Sequence, residues 1–137
     1  MITWFSIAQE VAARGDHAGA EAEYRGMLPH LRRRLGPDHP DTLATRFSIA
    51  QEMAARGDHA GAEDEFRAVL PHLERRLGLD HPVTLTLWFS IAREMAERGD
   101  HAGAAKEFRD MLPYLSRRLG PDHPHTRAAA EQAGRTR

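Results

Sequence analysis

A six-residue string, GDHAGA, occurs three times in this 137-residue chain, beginning at Gly15, Gly57 and Gly99. The interval is 42 residues each time, and segments 4–45, 46–87 and 88–129 align at this shift without an insertion or deletion. Self-similarity at a period of roughly 20 to 50 residues indicates stacked copies of one supersecondary unit. We therefore expect a single repeat domain over 1–137, with repeats over about 1–41, 42–83 and 84–125.

The apolar residues of each repeat recur at helical spacing. In the first repeat, Trp4, Ile7 and Val11 share one helical face, and Tyr24 and Leu28 share a face of a second helix. Each repeat is thus predicted to be a pair of amphipathic helices joined by a tight turn. The predicted fold class is all-α, a solenoid of three antiparallel helix pairs.

Glycine, aspartate and proline mark the predicted helix ends. The glycine that opens each GDHAGA string should end the first helix in the left-handed conformation, and the following aspartate should cap the second helix. The second helices should run to about Leu35, Leu77 and Leu119, through an internal proline that predicts a kink at Pro29, Pro71 and Pro113. In the DHP segment that follows, we expect the aspartate to cap the next helix and the proline to open it; these residues are Asp38, Asp80 and Asp122, then Pro40, Pro82 and Pro124.

Composition excludes several classes of protein. The chain has no cysteine, which excludes a disulfide scaffold and a thiolate zinc site and favours a reducing, cytoplasmic compartment. No apolar run reaches the length of a membrane span, and no secretion signal opens the sequence. Nineteen basic and twenty acidic residues give no global field for nucleic acid, and we expect neither nucleic-acid nor membrane binding.

Six of the nine histidines recur at two repeat positions, His17, His59 and His101, and His39, His81 and His123. Histidine beside aspartate can bind metal or transfer protons. Equivalent positions in successive repeats, however, lie about 10 Å apart by the spacing of packed helices, which is too far for one ion. We therefore favour hydrogen bonding at helix starts, and we expect no metal site, no cofactor and no catalytic residues.

The glycine-terminated helix pair, with a large residue at Trp4, small residues at Ala8 and Ala20 and an aromatic at Tyr24, resembles the tetratricopeptide repeat (TPR). The 42-residue period with LGPDHPDTLA between pairs is similar to the long variety found in kinesin light chains and many bacterial proteins. The resemblance covers almost the whole chain. It implies a right-handed superhelix whose first helices line a concave groove for peptides or partner proteins.

The groove positions carried over from this resemblance form equivalent stripes on the first helices. They are Phe5, Gln9 and Ala12, then Phe47, Gln51 and Ala54, and finally Phe89, Arg93 and Ala96. Paired asparagines usual in light-chain repeats are replaced here by Phe-Ser pairs, and the carboxylate clamp of cochaperone repeats is missing. The resemblance therefore does not by itself imply the acidic-peptide specificity of light-chain repeats, although Arg93 supplies one cation.

Two interpretations of the phenylalanine row remain open, because the position borders both groove and core. The rings can anchor a ligand or can pack between neighbouring first helices. Trp4 and Trp88 are expected in the core, whereas Arg46 at the equivalent position cannot be buried unpaired and is predicted to mark a polar spot in the groove. The arginine clusters near the ends of the second helices are interpreted as solvated faces.

The two ends of the array differ. Residues from about 125 to 134 start a fourth first helix with polar replacements, which is typical of a capping helix. The opening helix keeps Ile2, Trp4 and Phe5 without a cap, and this predicts self-association through the first repeat. The leading hypothesis for function is a non-enzymatic scaffold that binds a protein or peptide in the groove. The alternative is a structural module that oligomerises through its uncapped N-terminal repeat.

Overall fold

The computed structural model describes the backbone of residues 4–134 and the side chains of residues 6–134. In this range the chain forms seven α-helices and no strand. Their bounds are α1 Trp4–Ala13, α2 His17–Leu35, α3 Pro40–Ala55, α4 His59–Leu77, α5 Pro82–Glu97, α6 His101–Leu119 and α7 Pro124–Ala133. Among these helices, none combines the length and apolarity needed to cross a membrane. The predicted all-α fold of three helix pairs followed by a short C-terminal helix is confirmed.

Glycine ends the helices where the sequence predicted it. The helices of each pair are separated by Gly15, Gly57 and Gly99, and each second helix is followed by Gly36, Gly78 and Gly120. All six have φ between 87° and 96°, a region that L side chains rarely adopt. The second helices end at Leu35, Leu77 and Leu119, as predicted. The 42-residue repeat therefore sets the lengths of the second helices and of their turns.

The aspartate of each GDHAGA string caps the second helix, as predicted. A carboxylate oxygen of Asp16 accepts a hydrogen bond from the amide of Gly19 at 2.9 Å, and the equivalent bonds in the next two repeats are 3.0 Å long. A Cβ on Gly19 would clash with the same carboxylate. A side chain at the second glycine of the string would therefore displace the capping carboxylate.

The DHP segments cap the following helices through histidine, so the prediction of Asp38, Asp80 and Asp122 as caps was wrong. The Nδ1 atoms of His39, His81 and His123 accept hydrogen bonds of 3.0, 3.1 and 3.1 Å from the amides two residues later. The helix starts one residue after the histidine, at the proline, so the aspartate lies too early for the Ncap position. The predicted role of these histidines in hydrogen bonding at helix starts is confirmed.

Each second helix continues through its internal proline. Pro29, Pro71 and Pro113 lie inside α2, α4 and α6, and all three are exposed. A proline leaves the carbonyl four residues earlier without its helical partner. Because these prolines lie at the surface, water can hydrogen-bond to the carbonyls that they leave free.

The chain divides into two compact units, Met1–Glu65 and Phe66–Arg137, and the boundary falls inside α4. In the first unit, α1 packs on α2 and α2 on α3, and the core includes Ala20, Tyr24 and Ile49. In the second, α5 and α7 both pack on α6. Its core includes Phe66, Leu85, Ile91, Phe108, Met111 and Leu115.

The C-terminal helix α7 has the two-sided character predicted for a capping helix. It buries Thr126, Ala129 and Ala133 and exposes Arg127 and Glu131. Ala129 and Ala133 are smaller than the residues at the same repeat positions of α5, where Leu87 and Ile91 are fully buried. The helix therefore covers α6 with a thin apolar layer.

Candidate functional site

The predicted groove residues of α3 and α5 lie in equivalent stripes. On α3, Phe47 and Ala54 are half-buried and Gln51 is exposed; on α5, Phe89 and Ala96 are half-buried and Arg93 is exposed. The spacings of four and three residues place each set on one helical face. On α1, Gln9 is exposed and Ala12 is half-buried, whereas the side chain of Phe5 lies outside the described residues.

The ring of Phe89 has two aromatic neighbours within the second unit. It meets Phe108 of α6 edge to face, with ring centroids 5.3 Å apart, and it stacks on the ring of His125 of α7 at 4.7 Å. These contacts fix the ring between three helices, while part of it stays open to solvent. The ring can therefore pack between helices and still contact a ligand with its exposed part.

The polar edge of this stripe in the second unit is cationic. The side chain of Arg93 is 54% exposed, and its Nε lies 3.9 Å from a carboxylate oxygen of Glu94, which is almost fully buried. Burial lowers the pKa of His125, and the nearby His123 and Arg93 lower it further. The neutral form of His125 is therefore favoured, so that its ring stacks on Phe89 without adding a positive charge to that of Arg93.

Arg46 and Trp88 occupy equivalent positions in α3 and α5, and both are half-buried. The indole Nε1 of Trp88 donates to Glu107 at 2.7 Å, and its ring lies 6.0 Å from that of Tyr114. Burial lowers the pKa of Arg46 and the positive charge of Arg32 adds to this, whereas Glu65 raises it. Position 88 thus faces the second helix of its own repeat, and Arg46 lies near charged groups of α2 and α4.

The histidine of the first GDHAGA string contacts the next first helix and not its own helix start, so the prediction of hydrogen bonding at the helix start was wrong for His17. The Nδ1 of His17 donates to Glu52 across 2.6 Å, so α2 and α3 are joined by a hydrogen bond between their side chains. Around it, Arg56 of the α3 end donates to Glu21 at 2.9 Å, and Arg25 contacts the sulfur of Met53 at 3.5 Å. These contacts join one repeat to the next. Within the described part of the chain, no three His, Cys, Asp or Glu residues are grouped so that they could hold a metal ion.

Ile2 lies outside the described residues, as do the side chains of Trp4 and Phe5, so the structure places none of the predicted self-association side chains. One turn further along α1, however, Ile7 is 43% exposed. Its equivalents Ile49 and Ile91 are 1% and 0% exposed. Sequence reasoning did not single out Ile7 as an exposed residue, because the three repeats carry the same isoleucine at this position.

No family model matches the chain, and no curated protein matches it. Among solved structures, it is similar to a Podosopora anserina protein assigned as a kinesin light chain with nearly identical TPR-like repeats, at 20% identity and a TM-score of 0.78. A variant of that protein gives a TM-score of 0.79, also at 20% identity. The alignments cover 92% of this chain and 60% and 59% of those chains, so this chain spans about three fifths of their length. By its helix pairs and by these similarities, the chain has the TPR-like repeat fold.

Proposed function

We propose that the chain is a non-catalytic scaffold that binds a protein or peptide through its first helices. TPR-like repeats generally serve as scaffolds for protein interaction, and this supports the class of function. The observation that carries the proposal is the stripe shared by α3 and α5, in which a half-buried phenylalanine lies beside an exposed polar residue. A partly exposed aromatic ring held by its neighbours is well suited to anchor a ligand at low entropic cost.

Selectivity would come from the polar residues of the same stripes. Gln51 can donate and accept hydrogen bonds, as can Gln9 on α1, whereas Arg93 offers only donors and a positive charge. The stripe of α5 is therefore suited to a partner with a carbonyl or carboxylate opposite Arg93. The stripe of α3 is suited to a neutral polar segment.

A peptide-display library selected on the full chain tests this proposal. Phe47→Ala should weaken binding of a selected peptide by about tenfold or more, which corresponds to the loss of roughly 1.4 kcal/mol at an anchor position. Ala68→Ser, at an exposed site of the second helix α4, serves as the control and should leave binding unchanged. A peptide that binds Phe47→Ala and Gln51→Ala as tightly as the parent protein would overturn the assignment of the α3 stripe. If Phe47→Ala lost helix content, the residue would belong to the core.

Self-association through α1 is a second candidate function, favoured by the exposure of Ile7. A large aliphatic side chain that is buried in both equivalent repeats is left 43% exposed here. Burying it between chains would remove apolar surface from water. Sedimentation velocity over a range of concentrations should show growth in mass, and Ile7→Glu should abolish it; a single monomeric species at every concentration would refute this candidate.

A further inference from the structure

The stripe of α5 carries an imidazole and a guanidinium beside one aromatic ring. The ring of His125, from the first turn of α7, stacks on the ring of Phe89 with centroids 4.7 Å apart and planes 24° apart. Arg93 follows Phe89 by four residues, which places the two side chains on the same face of α5, with about 5–6 Å between their Cβ atoms. All three side chains are partly or largely open to solvent. We call the surface formed by Phe89, Arg93 and His125 the His125 platform.

The surroundings of the platform favour a neutral ring of His125 in the free protein. Burial lowers the pKa of this ring most, and the nearby His123 and the positive charge of Arg93 on α5 lower it further. The ring centroids of His123 and His125 are 5.2 Å apart. From α6, the apolar ring of Phe108 meets the platform, edge to face on Phe89. The permanent charge of the platform is thus that of Arg93.

His125, rather than His123, is the histidine that can take up a proton here without loss of structure. The Nδ1 of His123 accepts a hydrogen bond of 3.1 Å from the amide of His125 and so caps α7. A proton on that nitrogen would replace the acceptor by a donor and break the cap. The ring of His125 packs instead on the face of Phe89, and a cation over an aromatic face is attracted to it. A proton on His125 therefore costs no helix cap.

A carboxylate bound to Arg93 would reverse the charge balance at His125. The exposed guanidinium of Arg93 can bind a carboxylate through charge-assisted hydrogen bonds. Such a carboxylate offsets the positive charge that opposes protonation of His125, and an opposite charge within about 4–6 Å favours the charged form of an imidazole. The proton comes from solvent and the ligand stays ionised, so the protonated ring can donate a hydrogen bond to the carboxylate. Binding of the carboxylate and uptake of the proton thus strengthen each other.

We propose that the His125 platform binds a carboxylate of a partner protein and takes up one proton at His125 as it does so. This inference rests on the proposed binding of a peptide by the α5 stripe, and it adds the charge of the partner and a dependence on pH. Binding that takes up a proton strengthens as the pH falls. Affinity should rise as the pH falls through the pKa of His125 in the complex, and it should level off below the lower pKa of the free protein.

Peptides with a single acidic side chain test this proposal on the full chain. A display library in which every peptide carries one central glutamate is selected at about pH 6, and clones whose binding is weakened by Arg93→Gln are retained. The tightest clone is synthesised with glutamate or glutamine at that position and with a free or amidated C terminus. Affinity measured by calorimetry over about pH 5.5–8 should rise by about tenfold toward acid pH, as expected when binding raises the pKa of one histidine by about 1. The form that loses this rise shows whether a side chain or the chain end supplies the carboxylate.

Variants of His125 assign the proton to its ring. His125→Phe keeps an aromatic ring against Phe89 but cannot be protonated, so its affinity for the peptide should not change with pH. His125→Gln is a second variant that cannot take up a proton, and it should lose the rise in the same way. His101→Gln removes an exposed histidine at the start of α6 and, as the matched control, should keep the rise. In the NMR spectrum, the ring signal that is missing from His125→Phe should titrate at a higher pH when the peptide is bound.

The outcomes separate this inference from the proposed function. Peptide binding with one affinity at every pH, or a rise toward acid pH that persists in both His125 variants, would overturn proton uptake at His125 and leave peptide binding by the stripe standing. Equal affinity of the forms with and without a carboxylate would overturn the carboxylate as the recognised group. Clones that bind without any dependence on Arg93 would overturn the platform as their site. A parent chain that binds no peptide at any pH would overturn both the inference and the proposed function.

Discussion

Two threonines at equivalent repeat positions provide a matched test of how the turns before α3 and α5 are stabilised. Thr42 and Thr84 are both fully buried in the first turn of a first helix. The hydroxyl of Thr42 donates to the carbonyl of Gly36 at 2.8 Å, which ties the helix start to the preceding glycine turn. The hydroxyl of Thr84 has no hydrogen-bond partner within the described range of the chain. Replacing each by valine removes the hydroxyl and nearly preserves the volume.

The two replacements should change the free energy of unfolding in opposite directions. Thr42→Val removes one hydrogen bond, and it should destabilise the protein by about 1 kcal/mol. Thr84→Val removes a buried polar group that lacks a partner, and it should stabilise the protein by roughly 1 kcal/mol because the desolvation penalty is relieved. The expected difference between the variants is thus about 2 kcal/mol at positions that the sequence repeat makes equivalent.

Urea unfolding followed by circular dichroism measures this difference, and amide hydrogen exchange locates it. Repeat arrays can unfold in parts, so protection of the amides in α3 and α5 is compared separately with the global transition. In a thermal scan the two variants should differ by roughly 4–8 °C, with Thr84→Val the higher. Equal stability of the two variants, or a loss in Thr84→Val as large as in Thr42→Val, would refute the reasoning from hydrogen bonding.

Three further results follow from the packing, the helix caps and the ion pairs. Ile49→Ala should cost about 2–5 kcal/mol in unfolding free energy and Ile7→Ala less than about 1, because only the first leaves a cavity in a packed core; denaturation curves with similar losses would contradict this. His81→Ala should cost about 1 kcal/mol and His81→Asn less, because asparagine can cap in its place; equal losses by thermal unfolding would exclude capping as the role of the ring. Burial raises the pKa of Glu21, but its hydrogen bonds and ion pairs with arginines, Arg56 among them, outweigh this and lower the pKa below its ordinary 4.5. The stabilisation by the charged form is therefore present above about pH 4.5 and lost as the pH falls through the lowered value, and a pH series of unfolding curves should show this loss in the parent protein and not in Glu21→Gln.

Helix ends could be predicted from the sequence because the signals for them are local. A glycine at Gly15 and an aspartate at Asp16 act within one turn of the chain, and the structure has both roles as expected. The DHP segment also contains a local capping signal, but two neighbouring side chains in it, those of Asp38 and His39, can cap a helix. The choice of His39 over Asp38 depends on where the helix starts, and Pro40 fixes that start at a point one residue later than the aspartate requires.

Contacts between repeats could not be predicted, because they join residues far apart in the chain. Nothing near His17 in the sequence indicates that its ring reaches Glu52, 35 residues later. The stacking of Phe89 on His125 could not be predicted for the same reason, because it depends on how α7 packs against α6 and α5. Periodicity predicts that such contacts recur, but it does not identify the atoms that make them.

Near-identity of the repeats restricts where specificity can arise. A partner that bound only the shared features, such as the half-buried phenylalanines, would meet the same chemistry at Phe47 and Phe89 and would bind without a fixed register. The register must therefore come from positions where the repeats differ within the stripe. Gln51 and Arg93 differ in charge at one such position, and the ring of Phe89 stacks on that of His125. Arg93→Gln would give the stripes of α3 and α5 the same polar residue. A selected peptide that prefers the α5 stripe should then bind both stripes equally, while it still contacts the phenylalanine of the stripe.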